Sequence, residues 1–172
     1  MVAGEDSTVP AQAFFTTIAG LSVSLAGFAS LIAWLRADPT AWDPVNLWRV
    51  QTIVRHALTL AFLALVHVPI QELTGDSVAT IRIGAGLLVV FNLTDMVRYR
   101  HRDPVIWPSN SWAVYMATNA ALALFQLLNV GVASTGLLEL GFLILLTSPA
   151  WIFYNFVREL GMQGPGDSAR EA

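Results

Sequence analysis

Five polar residues in one apolar stretch are the first candidates for chemistry. Arg49, Thr52, His56, Thr59 and His67 recur at spacings of three, four or eleven residues, so on a helix they share one broad face, with Arg55 beside it. Asn92, Thr94 and Asp95 form a second polar group in a later apolar stretch. A charge inside a membrane pairs or faces water, so an ion pair between Arg55 and Asp95 is expected, with Arg49 or Arg98 as further members. The bland role of this inner cluster, Arg49, Arg55, His56, Asn92 and Asp95, is a clamp near the interface. The sharper role is a proton or ion relay in which His56 titrates.

His56 and His67 are eleven residues apart, about 16 Å along a helix axis. Two stacked histidines could ligate haem or another pigment, but each haem needs a second axial ligand and only His101 remains, unless a symmetric dimer supplies it. No cofactor is therefore expected, and hydrogen bonding between helices is the ordinary role of such histidines. Arg82 and Glu139 form a candidate outer pair. Tyr115, Asn119, Gln126 and Asn129 form a candidate polar seam, either glue between helices or the lining of an aqueous path. Asn92-Leu93-Thr94 matches a glycosylation acceptor but lies within an apolar run. No catalytic triad, nucleotide loop or metal-spaced ligand set is present in the sequence, so neither a catalytic nor a metal site is expected.

The elements that must position these residues follow from composition. Of 172 residues 55% are hydrophobic and 12% charged, and the mean hydropathy of +0.60 exceeds that of a soluble domain. In lipid, backbone groups must be satisfied internally, and uninterrupted apolar runs select helices over a barrel. The expected class is an all-α transmembrane bundle. Cysteine is absent, which excludes disulfides and thiolate chemistry. All nine basic residues are arginine, and nothing offers a nucleic acid a basic patch.

Five segments long enough to cross a hydrocarbon core can be drawn at about 13–36, 45–72, 78–98, 112–131 and 136–158, since roughly 20 residues span about 30 Å. Asp38-Pro39 ends the first, and Asp43-Pro44 starts the second with a cap and a first-turn proline. Gly75 and Asp76-Ser77 separate the second from the third. Ser109, Asn110 and Ser111 offer caps to the fourth. Gly131 to Gly136 is a short, barely polar turn, so a four-helix alternative stays open. Pro69 and Pro149 each free a carbonyl one turn earlier and predict kinks.

Arginine placement tests the count independently. Arg36, Arg49 and Arg55 flank the first loop, Arg98, Arg100 and Arg102 the third, and Arg158 and Arg170 follow the last helix, so eight of nine arginines share one face when five helices are drawn. The positive-inside rule makes that face cytoplasmic. The expected arrangement is a multi-pass protein of the bacterial inner membrane, with an outer tail at 1–12, a helical domain at 13–160 and a disordered cytoplasmic tail at 161–172. Met1 to Asp6 lacks the charged leader of a cleavable signal, so the first helix should be retained. All six tryptophans and three tyrosines fall in the arginine-bearing half, where amphipathic rings anchor at headgroups.

The first helix carries Thr17, Gly20, Ser24 and Gly27 on one face and Ser22, Ala26, Ala29, Ser30 and Ala33 on another, spacings that allow close approach of helices in lipid. The run Ile18 to Ser30, the arginine-bearing second helix and Gln126-Leu127-Leu128-Asn129 resemble a group of small bacterial five-helix membrane proteins without an established activity. That resemblance implies the topology and nothing about activity. The leading functional expectation is a non-enzymatic protein acting by association in the bilayer, as a homo-oligomer or as an accessory subunit of a membrane complex. The alternative is an oligomeric ion or proton channel lined by the polar stripes of helix two or four, and a haem or pigment carrier is a further one.

Overall fold

The computed structural model describes residues 8–35, 44–101 and 111–162, and among these the chain is helical with no strand. Five helices follow in order: α1 Thr8–Leu35, α2 Pro44–Thr74, α3 Ser77–Arg98, α4 Ser111–Val132 and α5 Thr135–Met162. Each is long and apolar enough to cross a membrane, which is the architecture of a multi-pass membrane protein. The region from Ser111 to Met162 is two helices, so the four-helix alternative is set aside. Residues 8–12 and 161–162, expected in the tails, are helical. Arg36, Asp38-Pro39, Trp42, Asp43, Arg102, Trp107, Ser109, Asn110 and Arg170 lie outside the described residues.

The two described turns have local causes. Gly75 takes φ +60, a left-handed conformation natural to glycine, and its N–H donates to the Gln71 carbonyl at 3.0 Å. Asp76 then caps α3, its carboxylate accepting from the Val78 N–H at 2.8 Å. Between α4 and α5 the left-handed residue is Ala133, at φ 55, where a side chain costs about 1–2 kcal/mol. Asn129 offsets that cost: its carbonyl accepts from the Ala133 N–H at 2.7 Å, and its Oδ1 accepts from the Ser134 N–H at 2.9 Å. The helix continues through both Pro69 and Pro149.

Polarity divides the bundle along its length. Phe15, Leu60, Ala64, Ala85, Leu88, Leu138 and Phe142 belong to one apolar core toward the end opposite the arginines. Ser22, Ala26 and Ala29 of α1 are buried, so one small-residue face packs inside the bundle, where α1 lies along α2. Thr17, Gly20, Ser24 and Gly27 face outward, and a Cβ at Gly20 or Gly27 would meet nothing within 4 Å. Large side chains such as Phe28, Phe62, Val90 and Leu128 are exposed. In water they would form an aggregating surface, whereas lipid accepts them.

Gly141 of α5 marks the tightest approach. A Cβ there would lie 1.9 Å from Nε2 of Gln126, whose side chain is fully buried and donates to the Leu137 carbonyl at 3.1 Å. Gly141→Ala must displace that amide and is expected to cost about 1–3 kcal/mol. A thermal-unfolding midpoint in detergent checks it, with Gly20→Ala as the control expected to change little.

Candidate functional site

Asp95 gathers side chains from three other positions of the bundle. It is 3% exposed and lies one turn inside the arginine-rich end of α3. Arg55 Nη2 of α2 donates to its Oδ1 at 3.1 Å. Its Oδ2 meets Nε2 of His56 in a short contact and accepts the Tyr115 hydroxyl of α4 at 2.5 Å. Arg55 Nη2 also donates to the Tyr99 hydroxyl at 2.8 Å, and its guanidinium carbon lies 5.3 Å from the Tyr99 ring centroid. At the end of α3, Trp112 Nε1 donates to the Tyr99 carbonyl at 2.8 Å and ties α4 to it.

Proton accounting follows from hydrogen-bond chemistry. Nδ1 of His56 lies 2.9 Å from the Thr52 carbonyl, an oxygen that only accepts, so Nδ1 carries a proton. Nε2 faces a carboxylate oxygen. Phe91 meets the His56 ring edge to face at 5.6 Å.

The other sequence candidates separate. Arg49 lies seven residues before His56, about 10 Å nearer the helix start, and forms a two-pronged pair with Glu159 of α5, Nη2 to Oε1 at 3.0 Å. Asn92 donates to the Leu88 carbonyl of its own helix at 2.7 Å, and its Oδ1 is buried without a protein partner. Tyr115 leaves the expected seam for the Asp95 cluster. Asn119 donates back to the Tyr115 carbonyl at 2.9 Å, Gln126 bridges to α5 and Asn129 closes the turn. Arg82 and Glu139 form no ion pair among the described residues: Arg82 is exposed, while the face of α3 turned to the core carries Thr80, Ile81, Gly84 and Ala85. His67 packs against Phe15 with the rings tilted, centroids 4.1 Å apart.

Beside the cluster, α4 and α5 part to leave a groove of about 900 Å³, within the 300–1,000 Å³ range of ligand pockets. His56 and Phe91 form its floor, Leu122 and Leu145 its deep end, and Trp151, Tyr154 and Arg158 its rim. Polar links fasten α5 at both ends of this opening, Gln126 to the Leu137 carbonyl and Arg49 to Glu159. Pro149 adds a freed carbonyl at Leu145.

The sequence reading missed Glu159, Tyr99 and the groove. One signal was present: Thr147, Trp151, Tyr154 and Arg158 recur at helical spacing and define a single face of α5. No known protein family, no curated protein and no solved structure matches the chain.

Removing one member of a buried charge cluster strands the rest, at a cost of about 3–5 kcal/mol. Asp95→Asn is expected to destabilise the protein on that scale. Glu159→Gln, at a pair whose carboxylate side chain is 38% exposed, is expected to cost about 0–1 kcal/mol. Denaturation of both variants in one detergent checks the contrast.

Proposed function

We propose that this is a non-enzymatic integral membrane protein that works by association in the bilayer, holding a lipid molecule in the groove between α4 and α5. The carrying observation is that groove: it opens sideways between two membrane-spanning helices, has an apolar deep end, and bears aromatic groups and Arg158 at its rim. The distribution of arginine supports a cytoplasmic position for that end, and with it an outer N-terminus and a bacterial inner-membrane setting.

The groove favours binding over conduction through one protomer. Its lining stops at Leu122 and Leu145, and beyond them the core of Leu88, Leu138 and Phe142 is packed. The polar side chains that a channel would expose on α2 are bonded to neighbours, His56 to Asp95 and Arg49 to Glu159.

Ala150 lines the groove and is exposed, so Ala150→Trp fills it from within the lipid-facing surface. Native mass spectrometry from mild detergent is expected to show a retained lipid on the wild type and on Leu143→Trp, and its loss from Ala150→Trp. Equal retention by all three overturns the reading.

A second reading, self-association, is favoured by the outward face of α1. Thr17 and Ser24 return their hydroxyls to their own helix at 2.8 and 2.9 Å, leaving with Gly20 and Gly27 a smooth strip open to a second helix. Gly20→Leu with Gly27→Leu is expected to shift the oligomer toward monomer in the same spectra, and an unchanged stoichiometry counts against this contact.

A further inference from the structure

We infer that the groove is selective for an anionic phospholipid, its headgroup at Arg158 and one acyl chain lying between α4 and α5. The inference rests on the lipid-holding reading above and adds the chemistry of the occupant.

Length identifies a whole lipid. From Ile144 at the deep end to Arg158 at the rim is fourteen residues of α5, about 21 Å along the axis. Half of a bilayer of about 40–45 Å, headgroups included, is about 20–22 Å. The groove therefore runs the depth of a single leaflet, with the rim at headgroup level and Leu122 and Leu145 near the midplane. A peptide partner crossing the membrane would need a groove running the full height of the bundle.

Charge identifies the headgroup. Arg158 and His56 are the basic residues that line the groove, and neither aspartate nor glutamate lines it. The neighbouring Glu159 is engaged by Arg49, and among the described residues no carboxylate stands within ion-pair distance of Arg158. Donors at the rim, the Arg158 guanidinium and the Trp151 indole, suit a phosphate diester, and basic pockets between helices at the cytoplasmic side take anionic headgroups.

The test uses the full chain reconstituted with equimolar dioleoyl phosphatidylglycerol and dioleoyl phosphatidylcholine, then released for native mass spectrometry. Phosphatidylglycerol is expected to be retained about fivefold over phosphatidylcholine, the weight of one arginine against an anionic lipid. Arg158→Gln should bring that ratio near one. Arg158→Lys should keep the preference, and Arg98→Gln, an exposed arginine at the same end, should leave it intact. Equal retention of the two lipids by the wild type, or a preference that survives Arg158→Gln, overturns the headgroup assignment. In either of those outcomes, loss of adducts in Ala150→Trp still upholds the groove, whereas retention there removes the lipid-holding reading itself.

Discussion

A carboxylate held almost out of reach of solvent, on a helix surrounded by lipid, is the constraint around which one half of this bundle is organised. Asp95 can remain there because an arginine, a histidine and a tyrosine converge on it, from α2 and α4. The desolvation of a lone carboxylate would cost several kcal/mol, so every one of those donors must stay close. That need sets the depth at which α2, α3 and α4 meet. The Tyr99 carbonyl, held by Trp112, ties α4 to the end of α3 beside the same knot.

The fifth helix has no part in that knot, and the groove follows from its exclusion. α5 packs along α2 and is secured by one polar link near each end. Between those links its C-terminal half carries Thr147, Ser148, Trp151 and Tyr154 toward the opening rather than large aliphatic side chains toward α4. The connection at Ala133 and Ser134 is too short to let the two helices separate at that end, so the gap widens toward the arginines. A strained alanine and an asparagine that bonds the turn twice make that short connection possible.

Much of this is legible in the sequence. Arginine spacing and the Asp76 cap define the helix count, and counting residues from each helix end puts Arg55 and Asp95 at one depth, which is why their pairing could be anticipated. Counting in that way gives a level in the membrane and no azimuth. Tyr115 and Asn119 look like one seam with Gln126 and Asn129, yet they turn to different neighbours, because a polar side chain in lipid takes the nearest acceptor available, often a carbonyl of its own helix. Glu159 was hidden for a related reason: a charge at a helix end reads as solvated until the partner helix is known to pass beside it.

The division of polarity along the bundle ties these features together. The half away from the arginines is held by apolar packing that converges on Phe15, Leu88 and Phe142, with Gln126 against Gly141 as a tight polar insertion. Within lipid such packing gains little from the hydrophobic effect and depends on close fit. The arginine-bearing half relies on charge and tolerates a lateral opening, because its cohesion comes from a few strong, directional bonds rather than from filled volume. An opening built from apolar contacts alone would close by side-chain rearrangement. One bordered by His56, Tyr115 and Arg158 keeps its shape because those side chains are held by partners or by charge at the interface.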